Sequence, residues 1–330
     1  MGRESLLKAE ILSKGIEFLS PVLDFARTVN AKMQNLCYNL PNDSNALTRP
    51  QELILRNKSD GYETVVSCVA PSQGEERLIA NMKNGHIILS HSMYFDESIE
   101  VDFVKEPQYY RKILSNGEIA KKYVSSCGYD ELNILPWNGC AIEKCCSFCG
   151  VNTVSNIAGK DTAIFTAIEL SDDHSIWYKK KDSYLKYLEE AVSIAEHDEI
   201  FSVHLHPIII SGNLKNTSLD FEAEIYAAIA HRIAPLFCMN KCPEGIVAVM
   251  EPPPSDSSLI LLKSSGISTV VFNTEVFSEP WRSRFCPGKN HFSNNYISEC
   301  LYRAIPIFGK NNVWTNFVFG LEPEVPLLTY

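Results

Sequence analysis

Long apolar runs are missing from this chain of 330 residues. No stretch approaches the roughly 20 consecutive apolar residues that a membrane-spanning helix needs. The N-terminal segment MGRESLLKAEILSKGIEFL carries charges throughout instead of a secretory apolar core, so it reads as an amphipathic helix. Gly2 does not open a lipidation motif, because Leu6 stands where Ser or Thr is needed. Positive charge is also scarce: the net charge is −10, which argues against a nucleic-acid partner and against an anionic membrane surface. The glycine signatures of common enzyme classes are absent as well. There is no Gly-x-Gly-x-x-Gly and no Gly-x-Ser-x-Gly, and Gly159-Lys160-Asp161 lacks both the upstream glycine and the hydroxyl residue of a phosphate-binding loop. Nicotinamide, serine-hydrolase and P-loop readings therefore have no support.

What is present is core-forming. A hydrophobic content of 45% with 21% charge describes a folded chain, long enough for about two domains. Eleven cysteines without an export signal indicate a reducing, cytoplasmic setting. Most should be free thiols or ligands. Cys37, Cys68 and Cys300 read as small buried hydrophobes.

The pattern changes along the chain. Residues 1–45 read as helical, and 62–70, 86–95 and 99–104 as strands, giving an N-terminal α+β domain or cap over 1–130. From 131 to 330 strand-like and helical runs alternate. Strands are expected at 132–137, 201–210, 245–251, 268–276 and 312–320, and helices at 181–197, 220–233, 257–266 and 297–309. Such alternation implies an α/β domain built on a parallel sheet, open or closed into a barrel, with chemistry at the C-terminal strand ends.

The most informative stretch follows the first of these strands. GCAIEKCCSFCGV (139–151) holds Cys140, Cys145, Cys146 and Cys149. Four soft thiols so close together are poorly spaced for disulfides and suit iron–sulfur or zinc. Structural zinc wants four ligands, and the further pair Cys238 and Cys242 has a spacing poorly matched to a zinc knuckle. A three-cysteine set with an open position fits a cluster that binds something exogenous. His204 and His206 alternate on one strand and share a face, where they are candidates for proton transfer, and Glu251 is a third catalytic candidate at a strand end.

The cysteine loop with its flanking strands resembles the radical S-adenosylmethionine superfamily, especially its biotin-synthase-like branch, over about residues 131–325. FNTEVFSEPWRSRFCPGK (272–289) and FGKNNVWTNFVFGLEP (308–323) carry further likeness. The resemblance implies a partial (β/α) barrel. It also implies a [4Fe–4S] cluster on Cys140, Cys146 and Cys149, with Phe148 before the last ligand, and an iron left vacant for S-adenosylmethionine. The spacing C-x5-C-x2-C departs from the commoner C-x3-C-x2-C, and Cys145 stands as an alternative to Cys146. By the same likeness, Ser211, Gly212 and Asn213 would meet the cosubstrate's amino group, Asn273 and Glu275 its ribose or the substrate, and Gly320 its adenine. Arg282, Arg284 and Lys289 are candidates for its carboxylate.

The implied activity is reductive cleavage of S-adenosylmethionine, then hydrogen abstraction from a small-molecule substrate, with an electron donor such as flavodoxin or ferredoxin. Five strands are countable where the family has six. The sixth comes from the segment read as N-terminal, or the barrel lacks its last unit. A zinc-stabilised binding or scaffold protein without turnover, and an inactive truncated relative of the family, are the alternatives.

Overall fold

A computed structural model describes residues 3–33, 48–56, 61–71, 77–92, 99–152, 163–215, 218–238, 240–289, 291–318 and 321–322. The chain divides into two compact units, Met1–Pro107 with Cys149–Gly159, and Gln108–Phe148 with Lys160–Tyr330.

The first unit contains α1 (Arg3–Lys14), β1 (Ile16–Phe18), α2 (Ser20–Thr28), β2 (Glu52–Arg56), β3 (Glu63–Ser67), β4 (Leu78–Lys83), β5 (His86–Ser90) and β6 (Ile99–Phe103). The expected continuous helix is broken at Gly15. This residue has φ +75°, and a Cβ there would lie 2.2 Å from the Ala70 carbonyl oxygen, so the helix ends where only glycine fits. The sheet runs β1-β4-β5-β6-β2-β3, antiparallel except for β1 with β4. Leu7, Ile11, Val22, Leu53, Leu78 and Leu89 form its core, with Cys68 buried among them as expected. Cys37 lies outside the described residues.

The second unit holds β7 (Val124–Cys127), β8 (Glu131–Ile134), α3 (Ala167–Asp172), α4 (Ser175–Glu196), β9 (His206–Ile210) and α5 (Leu219–Ile233). It continues with β10 (Ile246–Met250), α6 (Asp256–Ser264), β11 (Ile267–Phe272), α7 (Glu279–Phe285), α8 (Asn294–Phe308) and β12 (Val313–Trp314). Its sheet runs β12-β11-β10-β9-β8-β7. Strands β8 to β12 are parallel neighbours, with Ile134 beside Ile209 and Met250 beside Phe272, and β7 is antiparallel to β8. Leu132, Ile134, Ile209, Ala248 and Val270 are fully buried and pack with Trp177, Leu188, Ile225, Leu259 and Phe308 from the helices. That burial is why these strands read as short, almost purely apolar runs. Helices start where hydroxyls cap them: Thr166 accepts from the Glu169 N–H, Ser255 from Ser258 and Ser293 from Tyr296.

The result is a mixed α/β protein whose second unit is compatible with a partial barrel of five parallel strands. The expected boundary at 130/131 is corrected to 107/108, because β7 joins β8 and the buried Tyr109, Tyr110 and Tyr123 belong to the second core. The sixth strand of this sheet does come from the segment read as N-terminal. It is antiparallel, so it adds an edge and not a sixth strand–helix unit. Among the described residues no helix is long and apolar enough to cross a membrane.

Candidate functional site

The C-terminal ends of β8, β9, β10 and β11 gather a set of polar residues within the second unit. Residues 139–147, following β8, form an irregular loop tied down on two sides by backbone hydrogen bonds. Ala141 N donates to the Asn213 carbonyl (2.8 Å), Ser147 N to that of Phe285 (2.8 Å), and Gly288 N to that of Lys144 (3.1 Å). The turn after β9 fits this loop only because it carries a glycine. A Cβ on Gly212 would lie 2.4 Å from the Gly139 oxygen and 2.7 Å from the Cys140 Cβ. Gly288 is as confined, with the Lys144 oxygen 2.5 Å from a Cβ position. Ser211 closes the turn by donating to the Trp137 carbonyl at 2.6 Å.

Behind the turn lies a buried ionic cluster. The Asn213 side-chain amide donates to Glu251 Oε1. Lys289 Nζ sits 2.8 Å from Glu275 and 3.9 Å from Glu251. Burial pushes the Glu251 carboxyl up to about 7 against the pull of Lys289. Burial also opposes the Lys289 charge, but Glu275, Glu251 and Cys146 outweigh it and hold the ammonium well above the usual lysine range. Glu251 Oε2 is buried without a hydrogen-bond partner among the described residues, and His291 Nε2 is 3.8 Å from it. Glu222 on α5 is fully buried close by in the fold. It accepts from the Leu214 N–H at 3.3 Å, and burial raises its carboxyl to about 8.

The thiols divide. Burial pushes the Cys140 thiol up to about 12, against the backbone N–H groups of Ile142 and Asn213. Cys146 is buried, and a hydrogen bond with Cys286, then burial, pushes its thiol far above the usual range. Cys145 is exposed. Cys149 and its neighbours to 159 fall in the first unit. Phe148 is half-buried. Among the described residues no three His, Cys, Asp or Glu side chains are grouped to hold a metal ion. By donor chemistry and by the close glycine turn, the loop suits a thiolate-bound group; an assembled ligand trio is not among the described features.

Other candidates are redistributed. His206 is the first residue of β9 and pairs with Glu131, the first of β8, so it sits at the N-terminal edge of the sheet, opposite the rim. His204 precedes the strand and pairs with Glu244 at 3.1 Å. The expected strand over 201–210 is corrected: it begins at His206, because Asp198 caps a 3-10 turn at Glu199–Phe201, so the two proton-transfer candidates do not share a strand face at the rim. Glu251 does lie at the rim. Asn273 follows β11 with its Oδ1 buried, and Glu275 has φ +65°. Arg282 is buried, and its Nη1 donates to the Val276 carbonyl (3.1 Å) and to Asn294 Oδ1 (2.8 Å), holding the loop after β11. Arg284 is exposed and lies over the Trp281 and Phe285 rings. Gly320 lies outside the described residues.

Sequence reasoning missed His291, Glu222, the Asn213–Glu251 bond and the Cys146–Cys286 contact. For Glu222 a signal existed, as one of two carboxylates inside the otherwise apolar run FEAEIYAAIA; for the others the pairing is purely three-dimensional. No family model, no curated protein and no solved structure matches this chain.

Proposed function

We propose that this chain is a radical S-adenosylmethionine enzyme acting on a small-molecule substrate in the cytoplasm, supplied with electrons by a flavodoxin- or ferredoxin-like donor. Cys140, Cys146 and Cys149 would hold a [4Fe–4S] cluster. Cluster and cosubstrate would supply one-electron bond cleavage and hydrogen-atom abstraction. The observation carrying this reading is the contact of Gly212 with Gly139 and Cys140: the glycine turn after β9 lies directly against the first cysteine of the loop after β8. The remaining roles follow from the residues around that contact. Gly212 gives the loop room, and Ser211 and Trp137 fix the turn. Lys289 offers a cation that Glu275 and Glu251 keep charged, suited to orienting an anionic group.

Anaerobic reconstitution with iron and sulfide tests the reading. The expected product is brown, and with dithionite and S-adenosylmethionine it releases 5′-deoxyadenosine. Cys149→Ala should lose the cluster. Gly212→Ala, which keeps every thiol, should lower iron content several-fold by displacing Cys140. A colourless protein holding one zinc ion, or full cluster loading in Cys149→Ala, rules the proposal out.

A further inference from the structure

Two buried thiols face each other across the seam between the cysteine loop and the segment after α7. Backbone hydrogen bonds set the alignment. Ser147 N donates to the Phe285 carbonyl at 2.8 Å, and Gly288 N to that of Lys144 at 3.1 Å. The two segments therefore run antiparallel, and counting inward from either bond sets Cys146 against Cys286. Directly opposed residues of antiparallel segments hold their Cα atoms about 4.5–5.5 Å apart. That separation lies inside the roughly 4.4–6.8 Å that a disulfide spans. The side chains meet as the backbone allows: the two thiols are hydrogen-bonded to each other. Both cysteines lie within the second unit.

The seam is fixed on both sides. A Cβ on Gly288 would lie 2.5 Å from the Lys144 oxygen and 3.0 Å from Ile142 Cδ1, so this segment packs directly on the loop. The Arg282 carbonyl accepts from Cys286 N at 2.7 Å and holds that residue at the end of α7. Cys286 is 0% exposed and Cys146 8%, so Cys146 is the sulfur that solvent reaches. Ile142, Lys144, Pro287 and Gly288, which flank the pair in sequence, line an open cleft of about 430 Å³ that brings water and small solutes to the seam.

A thiol pair this close has a chemistry that a lone thiol lacks. A peroxide takes two electrons from it in two steps. The Cys146 sulfur displaces water from hydrogen peroxide and becomes a sulfenic acid. The Cys286 sulfur then attacks it, an S–S bond forms, and a second water leaves with the last thiol proton. Both S–H bonds and the O–O bond are broken, two waters are made, and no other reactant is needed.

We propose that Cys146 and Cys286 are a peroxide-sensitive pair that closes to a disulfide and fastens the cysteine loop to the segment after α7. In a reducing compartment such a bridge is transient, reopened by cellular thiols. This goes beyond the cluster reading. A bridged Cys146 is closed to iron, but the bridge itself is read on thiols alone, so the two can fail separately.

Peptide mapping of the full chain tests it. Trypsin cuts after Lys144, Lys160, Arg284 and Lys289, so Cys146 falls in peptide 145–160 and Cys286 in 285–289. The purified chain, chelated and reduced, is treated with hydrogen peroxide and, separately, with oxidised dithiothreitol, a second route to the same bond. It is then denatured, alkylated and digested. The expected product is one linked species of the two peptides, two hydrogens lighter than their sum and lost on reduction. Cys146→Ser and Cys286→Ser should each abolish it, and Cys145→Ser should leave it intact. Peptides 145–160 and 285–289 unlinked and fully alkylated after both treatments overturn the proposal. A link that survives Cys146→Ser overturns it too, because the bridge would then belong to Cys145 or Cys149.

Discussion

In the first unit Lys32 and Glu52 form an ion pair whose side chains are 0% and 1% exposed. In the second, Lys289 faces two carboxylates, and one of them, Glu251, has an oxygen left over and a carboxyl raised to about 7. The first arrangement sets a cation against an anion inside a mixed sheet, with the Gln51 side-chain amide 3.5 Å from the other carboxylate oxygen. The second lies at the C-terminal ends of parallel strands, beside thiols and a cleft, with a carboxylate able to gain or lose a proton near neutrality. Burying charge is common to both. What marks the second as a site is the carboxyl raised toward neutrality and the place in the sheet where chemistry gathers.

The largest expected effect breaks the buried pair. Lys32→Met leaves Glu52 buried without its cation, which should cost about 3–5 kcal/mol. All four tryptophans (Trp137, Trp177, Trp281 and Trp314) lie in the second unit, so the first must be followed by hydrogen exchange in β2 and β6. Protection there unchanged by the substitution would mean the pair contributes nothing net, and the contrast between the two regions would lose its structural half.

Next in size is a pH-dependent effect in the second unit. Burial raises the Glu222 carboxyl from its ordinary 4.5 to about 8. The folded chain then holds a proton that the unfolded chain releases, so stability falls as pH rises from about 4.5 to about 8 and is level beyond. Glu222→Gln, which keeps an acceptor for the Leu214 N–H, should gain up to about 5 kcal/mol at about pH 9 and nothing at about pH 4. Urea unfolding followed by tryptophan fluorescence measures this. A gain equal at both pH values would show that the effect is packing and not ionisation.

How legible these regions were depends on what each strand had to satisfy. Strands β9 to β11 sit between layers and read as apolar runs, HPIII, IVAVM and ISTVVF, so they stood out. β7 did not, because VSSC puts two serines in a fully buried strand. Tyr110 makes that tolerable: its hydroxyl accepts from the Ser126 N–H at 2.9 Å and meets Ser126 Oγ at 3.3 Å. No periodicity reading contains such a partner, 16 residues away. The same holds at the rim. Glu251, Asn213, Glu275 and Lys289 were each nameable as polar residues after strands, but their cluster depends on the turn at Gly212 and the segment after α7 closing on one loop. The two histidines misled because alternation fixes a face and not an end: His206 shares its strand with the rim and lies at the other edge.

The smallest expected effect sharpens the comparison within the first unit itself. Arg56 sits directly opposite Glu63 across β2 and β3, with its Nε 2.6 Å from the carboxylate, and it also reaches Asp102. It thus meets two anions. Yet its side chain is 54% exposed, and water screens each contact, so pairs of this kind contribute about 0.2–1 kcal/mol. Arg56→Gln should therefore lower stability by less than about 1 kcal/mol, and addition of salt should shrink even that. The measurement is the same hydrogen exchange used for Lys32→Met. A loss for Arg56→Gln matching that of Lys32→Met would mean that removal from water does not set what these charges contribute, and the weight placed on burial in both regions would have to be abandoned.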